Sequence, residues 1–305
     1  LYLHNVLDQG LENISGLSNT INILTENQDL DWVYWMEGLY YSKGKKIDQL
    51  RLSLRASKID ISEILRNKLF DRFSCFILTS ATIKVDDSFD YFLNRNGLSD
   101  MEDIMTNDYI SPFSYGDQVT YYQYGGTRDI TGDSIRLADL IYYIHKTFQK
   151  RTMVLFTSVK MLSDVSKKIK EKPEGKEIPL FAQSRGASKP AIIKGMHMHN
   201  NGLLFGTNSF WEGVDLPGDL LEILIVVKLP FDVPSDPLIK SYSNFLDANG
   251  VNSFMSFTVP ECAIRFRQGF GRLIRTTYDS GIFISLDNRI VTKRYGEVIL
   301  NNIPI

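Results

Sequence analysis

The residues best suited to chemistry lie in one short run near the carboxyl end, Gln268-Gly-Phe-Gly-Arg-Leu-Ile-Arg275. Residues three and four apart are neighbours on a helix, so this spacing predicts that Gln268, Arg272 and Arg275 lie near one face of a helix over 259–274. Two guanidinium groups and an amide on one surface suit a triphosphate, because arginine stabilises the charge that spreads over a transferred γ-phosphate. The structural alternative is a solvated basic helix face.

Two glycines, Gly269 and Gly271, interrupt this predicted helix. Inside a helix each would cost about 1 kcal/mol relative to alanine. Such a cost is easier to understand if a ligand must approach the backbone closely. The glycines therefore favour a nucleotide site over a solvated face.

Small hydrogen-bonding side chains follow four predicted strands. In an open α/β sheet, ligands bind at the edge formed by the carboxyl ends of the strands. Hydroxyl, amide and guanidinium groups there can hold a nucleic-acid phosphate without reading a base. These residues are Thr79, Ser80 and Thr82 after 74–79, Thr157 and Ser158 after 152–156, Gln183 and Arg185 after 178–182, and Thr207, Asn208 and Ser209 after 202–206.

Three runs stand in a fixed order along the chain. They are Leu78-Thr-Ser-Ala-Thr82, Gly206-Thr-Asn-Ser-Phe-Trp-Glu-Gly-Val-Asp215 and the glutamine–arginine run. Together they resemble motifs III, V and VI of superfamily 2 helicases, and more narrowly those of the XPD/DinG branch. The loop that begins Lys228-Leu-Pro-Phe and the Asp287-x-Arg289 pattern are similar to those of DinG proteins. The resemblance covers roughly residues 70–305.

The resemblance implies a role for each group of residues. Arg272 and Arg275 would be arginine fingers, and Gln268 would help to orient the phosphate or the attacking water. The residues implied beside the nucleotide are Glu212, Gly213, Asp215 and Gly271. The polar residues at the four strand ends would contact the backbone of single-stranded DNA. Among them, the hydroxyl groups after 74–79 would couple the ATP state to the grip on DNA.

The pattern of apolar runs predicts an α/β fold. Strands alternate with helical segments over 119–305, which indicates βαβ units and a mainly parallel sheet between helices. With the resemblance, this predicts that 119–305 form the second RecA-like domain of a motor. Residues 73–118 would carry motif III and link two lobes, and 1–72 would be the end of an arch or a linker. Residues 27–41 indicate a strand pair or an exposed edge, and 74–79 a buried parallel strand.

The composition bounds the function. The chain has 305 residues, of which 43% are hydrophobic and 23% charged, and its formal net charge is −2. This charge argues against a generally basic nucleic-acid coat but permits a local groove. No apolar run approaches about 18 residues, so we expect no membrane contact and a cytoplasmic location. Cys75 and Cys262 are expected to be buried reduced thiols, and no metal site is predicted.

Two motifs that this branch uses are missing from the sequence: the phosphate loop G-x-x-x-x-G-K-[ST] and a D-E-A-H box. We therefore expect ATP and Mg²⁺ to be bound mainly by the protein's own amino-terminal motor domain, outside this sequence. We also expect the chain alone to hydrolyse no ATP. The resemblance implies no iron–sulfur cluster in this chain, and some relatives carry an exonuclease domain.

Two other functions are compatible with these residues. One is an accessory nucleic-acid-binding module of an exonuclease-fused, DinG-like protein that does not unwind DNA. An intact phosphate loop in the first motor domain would argue against it. The other is a small-molecule α/β enzyme such as a nucleotide-binding transferase. It would need a phosphate loop of its own, and this sequence has none.

Overall fold

The computed structural model describes residues 14–16, 18–19, 21–22, 31–43, 46–183, 188–207, 210 and 220–304. These residues separate into two compact units. The smaller unit contains the described parts of 1–76, with 95–98 and 232–254. The larger unit contains the described parts of 77–94, 99–231 and 255–305. In the part of the chain so described, no helix has the length and apolarity to cross a bilayer.

Strands and helices alternate through most of the chain. The strands are β1 (Trp32–Lys43), β2 (Lys46–Lys58), β3 (Val119–Gln123), β4 (Thr152–Leu155), β5 (Leu180–Ala182), β6 (Leu203–Gly206), β7 (Ile223–Val226) and β8 (Gly281–Ser285). The helices are α1 (Ser62–Lys68), α2 (Asp90–Arg95), α3 (Tyr115–Gln118), α4 (Ser134–Phe148), α5 (Val159–Lys170), α6 (Lys189–Met198), α7 (Pro237–Ala248), α8 (Val259–Phe270), α9 (Arg289–Thr292) and α10 (Tyr295–Asn301). A 3-10 turn at Phe70–Arg72 follows α1, and a π-helical turn at Phe254–Thr258 precedes α8.

A long antiparallel hairpin of β1 and β2 forms the main part of the smaller unit. Residues 27–41, predicted as a strand pair or an exposed edge, contribute one strand of this hairpin, and its partner strand lies further along the chain than predicted. Helix α7 packs against β1 in the same unit. This helix begins at Asp236, whose carboxylate accepts hydrogen bonds from the backbone N–H groups of Leu238 and Ile239. An aspartate in this position satisfies N–H groups that have no partner in the first turn of a helix.

Six described strands form one sheet in the larger unit, in the order β3-β8-β7-β4-β6-β5. All of its pairings are parallel. Every residue of β4, β6 and β7 is buried. This explains their nearly continuous apolar sequences, because helices cover both faces of such a sheet.

Alternate residues of the strands pack against helices on opposite faces. One face carries α4 and α5, which bury Ile141 and Val165 against Val154 and Phe205. The other face carries α6, α8 and α10. Their buried side chains, among them Phe266, form a second apolar cluster with side chains of the strands. The predicted α/β architecture, a parallel sheet between two helix layers, is confirmed.

The prediction of a buried strand over 74–79 is wrong. No described strand pairs with these residues, and their backbone is irregular. Ile77 is 84% exposed, and Cys75 is exposed rather than buried, whereas Cys262 is buried as predicted. An apolar run becomes a core strand only where neighbouring strands offer hydrogen bonds, and the described sheet offers none to this segment.

A buried histidine on α4 predicts a pH dependence of stability. His145 is 1% exposed, and burial, with a smaller contribution from Lys146, lowers its pKa below the usual 6.5. The folded chain therefore binds this proton less readily than the unfolded chain. We expect the free energy of unfolding to fall as the pH drops below about 6.5, by up to about 1.4 kcal/mol per pH unit from this group.

Urea unfolding between neutral and mildly acidic pH measures this effect. The His145→Gln variant is expected to have a shallower pH dependence than the wild type. The His197→Gln variant, which changes an exposed histidine on α6, serves as the control and is expected to keep the wild-type dependence. Identical slopes for His145→Gln and the wild type would contradict the prediction.

Candidate nucleic-acid and nucleotide sites

The parallel strands bring four of the predicted DNA-contact residues to one edge of the sheet. Thr157 and Ser158 follow β4, Thr207 follows β6, and Gln183 follows β5. Strands β4, β6 and β5 are adjacent in the sheet. Neighbouring strands lie about 4.8 Å apart, so these side chains stand in a row along the edge. We call these four residues the carboxyl-edge row.

Two members of this row contact each other directly. The Gln183 Oε1 atom accepts hydrogen bonds from the Thr207 backbone N–H at 2.9 Å and from the Thr207 hydroxyl at 2.8 Å. The backbone N–H of Gln183 donates to Phe205 at 2.9 Å, which holds the glutamine beside β6. A phosphate oxygen accepts hydrogen bonds, so the Gln183 amide would bind one by donating from Nε2.

Ser158 is the N-terminal cap of α5. Its Oγ accepts a hydrogen bond from the backbone N–H of Met161 at 3.3 Å. The hydroxyl hydrogen can still be donated to an outside acceptor. Unpaired backbone N–H groups give the first turn of a helix a partial positive charge, which favours an anion at this position.

The predicted motif III residues follow no strand of the sheet. Ser80 Oγ accepts a hydrogen bond from the Thr82 backbone N–H at 3.2 Å and lies 3.4 Å from Thr82 Oγ1. Thr79 and Ser80 are exposed. Their placement at the carboxyl end of a strand was therefore wrong, although their hydroxyl groups are accessible to a ligand.

Helix α8 ends earlier than predicted. Its last residue is Phe270, so Arg272 and Arg275 do not share a helix face with Gln268. Gly271 lies just beyond the end, and the backbone N–H of Arg272 donates to Gly269 at 3.1 Å in a tight turn. The cost that we attributed to Gly271 inside a helix does not apply at this position, because glycine is well tolerated where a helix ends.

A rigid turn follows, at 275–279. Asp279 accepts hydrogen bonds from the backbone N–H groups of Arg275 at 2.7 Å and Thr276 at 2.9 Å, and from the Thr276 hydroxyl at 2.7 Å. Burial raises the pKa of Asp279, but these hydrogen bonds outweigh it and lower the pKa overall. Gln118 Nε2 donates to the carbonyl oxygens of Thr276 at 3.1 Å and Asp279 at 2.7 Å. The Thr-x-x-Asp spacing was a turn signal that our sequence analysis missed.

This turn places the arginines at the opposite edge of the sheet from the carboxyl-edge row. Gln118 immediately precedes β3, and the turn leads directly into β8, so 271–280 lie at the amino ends of these strands. Arg272 is 9% exposed, and Arg275 is half-buried. Gln268 stands near the same end of α8, and its buried Oε1 accepts no hydrogen bond from any described residue. Of the residues predicted beside the nucleotide, the described ones therefore lie at the opposite strand ends from the carboxyl-edge row.

Residues 141–305, more than half of the chain, match the family described as "Helicase C-terminal domain". The chain belongs to this helicase family. Its relatives are DinG-like. It is 34% identical over 310 residues to the "3'-5' exonuclease DinG" of Bacillus subtilis, covering 100% of this chain and 33% of that protein. It is 30% identical over 302 residues to the "ATP-dependent DNA helicase YoaA" of Haemophilus influenzae, covering 98% and 44%.

This helicase C-terminal domain spans less than half the length of these curated relatives. A solved structure named "XPD_Helicase" shares its fold, with a TM-score of 0.59 and 17% sequence identity over 84% of this chain and 47% of that one. The resemblance to the carboxyl-terminal region of DinG-like, superfamily 2 helicases is therefore confirmed.

The two DinG-like patterns of this helicase domain meet at a buried carboxylate. Asp287 is 1% exposed and accepts hydrogen bonds from the Leu229 backbone N–H at 2.9 Å and from the Arg289 guanidinium at 2.6 and 2.9 Å. These bonds raise the pKa of Arg289 despite its partial burial. The Arg289 guanidinium lies 5.2 Å from the Phe231 ring, which packs edge-on against Tyr295. We call these five residues the Asp287 cluster.

Six of the predicted site residues of this helicase domain lie outside the described residues. They are Arg185, Asn208, Ser209, Glu212, Gly213 and Asp215. Their roles stay predictions.

Proposed function

We propose that this chain is the second motor domain of a DinG-type, ATP-dependent translocase that moves along single-stranded DNA. The observation that carries the proposal is the separation of its two residue groups to opposite edges of one buried sheet. In this proposal 271–280 face a nucleotide, and the carboxyl-edge row binds the DNA backbone. Movement imposed at one edge would reach the other because the strands between them are closely packed and move as one body.

The domain boundaries are part of this proposal. Residues 119–305 would form the second RecA-like domain, 73–118 the motif III segment and link, and 1–72 the end of an arch or a linker. The protein's own amino-terminal motor domain would pack against the nucleotide side. Exposed apolar residues such as Ile77 and Leu78 suit a segment whose sheet partners lie in that domain.

The proposed nucleotide site includes three side chains with chemical roles. Arg272 and Arg275 would stabilise the charge that develops on the γ-phosphate. An unpaired buried oxygen such as Gln268 Oε1 costs about 1–3 kcal/mol, and it suits an acceptor for a hydrogen of the attacking water. A Cβ atom added to Gly271 would meet nothing closer than 3.4 Å, so its own fold does not demand glycine here. Close approach of the nucleotide would demand glycine at this position. Glu212, Gly213 and Asp215 would complete the proposed site.

Magnesium and most phosphate contacts are proposed to come from the amino-terminal motor domain. The described residues contain no group of three or more histidine, cysteine or acidic side chains arranged to hold a metal ion. The sequence also has no phosphate loop. We therefore expect the purified chain to show no ATP hydrolysis above background, with or without single-stranded DNA. Robust Mg²⁺-dependent turnover by the chain alone, in a coupled assay, would contradict this expectation.

The DNA role can be tested at the contact between Gln183 and Thr207. In the full-length protein, Gln183→Ala is expected to weaken binding of a labelled oligothymidine about tenfold. The change removes an amide donor and leaves the Thr207 hydroxyl without its acceptor, and a hydrogen bond to a charged group contributes about 1.5–3 kcal/mol. Fluorescence anisotropy at one salt concentration measures the affinity.

Asn201→Ala provides the matched control for this experiment. Asn201 is an amide at the amino end of β6, the strand that Thr207 follows, and its Nδ2 donates to Gln149. This variant is expected to bind DNA like the wild type. Equal affinities for Gln183→Ala and Asn201→Ala would remove Gln183 from the proposed interface.

A second function is supported by one comparison. The Bacillus subtilis relative, at 34% identity, is named a 3'-5' exonuclease. The chain could thus serve an exonuclease as a DNA-binding module without unwinding activity. Full-length protein that binds DNA but shows no DNA-stimulated ATP hydrolysis would favour this alternative.

A further inference from the structure

Lys228 lies at the same edge of the sheet as the carboxyl-edge row, one strand further along. Strand β7 is adjacent to β4, with Val226 opposite Leu155. The backbone N–H of Val227 continues the pairing by donating to Leu155 at 3.0 Å. Lys228 therefore stands level with Thr157, because each lies two residues beyond its paired strand end.

The backbone around Lys228 is held on both sides. Val227 is 2% exposed and Leu229 is 1% exposed, whereas the Lys228 side chain is exposed. The Leu229 N–H donates to the buried carboxylate of Asp287, which belongs to the neighbouring strand end. A cation is thus presented to solvent from a fixed backbone position.

The charge of Lys228 is available to an anionic ligand. No ion pair within 4.0 Å involves it among the described residues, whereas Lys150 at the amino edge pairs with Glu222 at 2.6 Å. Asp129 interacts with Lys228 by charge but forms no ion pair with it among the described contacts, and its Oδ1 accepts hydrogen bonds from the N–H and hydroxyl of Thr131. The pKa of Asp129 is lowered overall: burial raises it, the Thr131 bonds lower it, and Lys228 and Arg289 lower it further by charge alone.

We propose that Lys228 binds a phosphate of single-stranded DNA and extends the carboxyl-edge row from three strands to four. Three spacings of about 4.8 Å give a contact line of about 14 Å from β7 to β5. The compact charge of a lysine suits a phosphate and reads no base. This inference rests on the proposed DNA-binding function of the row.

The test is the salt dependence of DNA binding by the full-length protein. Each phosphate contact to a single strand contributes about 0.7 to the slope of log affinity against log salt. Lys228→Ala is expected to reduce this slope by about 0.7. The loss of this one phosphate contact is therefore expected to weaken binding about fivefold more at 0.1 M salt than at 1 M salt. Lys228→Arg is expected to keep the wild-type slope.

Lys150→Ala is the matched control, because it removes the same charge at the opposite edge of the sheet. It is expected to leave the slope unchanged. A wild-type slope for Lys228→Ala, in a protein that otherwise binds DNA, would overturn the role of Lys228 and leave the proposed function intact. Equal losses in both lysine variants would also overturn it, since they would indicate a general charge effect. Failure of the wild-type protein to bind single-stranded DNA would instead refute the proposed function, and this inference with it.

Discussion

Replacing Arg272 with alanine in the full-length protein is expected to lower DNA-stimulated ATP hydrolysis by about a thousandfold or more. An arginine that stabilises the transferring γ-phosphate contributes a factor of about 10³–10⁵ to the rate. Arg272 lies in the turn after α8, and its 9% exposure means that it would act from a fixed position rather than from a mobile surface. Steady-state ATPase with saturating oligothymidine measures the loss.

Two further variants separate the chemical role of Arg272 from a structural one. Arg272→Lys keeps the charge but loses the planar fork, so a partial loss of rate is expected. Arg265→Ala removes an arginine of α8 that pairs with Glu261 at 3.7 Å, and it is expected to stay within about twofold of the wild type. Full activity of a correctly folded Arg272→Ala protein, shown by an unchanged melting temperature, would exclude the finger role.

Replacing Asp287 with alanine is expected to lower the free energy of unfolding of the chain by about 3 kcal/mol. The change leaves the buried Leu229 N–H without its acceptor and removes the carboxylate from Arg289. Breaking a fully buried pair costs about 3–5 kcal/mol, and we take the lower end because the Arg289 side chain is 31% exposed and can recover some hydration. Urea denaturation at neutral pH measures the difference.

Asp133→Ala is the control for this loss. Asp133 is a partly exposed carboxylate that caps α4 by accepting hydrogen bonds from Ile135 and Arg136, and its removal is expected to cost about 1 kcal/mol. The stability cost of Asp287→Asn is expected to lie between the costs of Asp287→Ala and Asp133→Ala, since an amide oxygen can still accept a hydrogen bond from the Leu229 N–H. A stability cost for Asp287→Ala no larger than that for Asp133→Ala would show that the Asp287 cluster contributes little to the free energy of unfolding.

The parts of the fold that local sequence determines were predictable. Strands β4, β6 and β7 are short apolar runs, and their complete burial follows from helices on both faces of the sheet. Polar residues directly after such strands had to meet at one edge, because all of the strands are parallel. That reasoning placed Thr157, Gln183 and Thr207 without knowledge of the strand order.

The predictions that were wrong concern features that depend, at least in part, on residues distant in sequence. The turn at 275–279 is closed by Asp279 within the turn and is also bound by Gln118, which is 158 residues from Thr276 in sequence, and no local pattern reveals that second contact. Helix α8 ends at Phe270, before this turn, so the arginine spacing alone predicts a helix that is too long. The exposed run at 74–79 has the composition of a core strand but no described strand to pair with.

The most direct test of the two-edge account is the ATPase rate of the full-length protein measured against oligothymidine concentration. Arg272→Ala is expected to lower the maximum rate and to leave the DNA concentration for half-stimulation nearly unchanged. Gln183→Ala is expected to raise that concentration about tenfold and to leave the maximum nearly unchanged. If both variants altered the same parameter, or if DNA did not stimulate the wild type, the proposed division of the sheet into a nucleotide edge and a DNA edge would be contradicted.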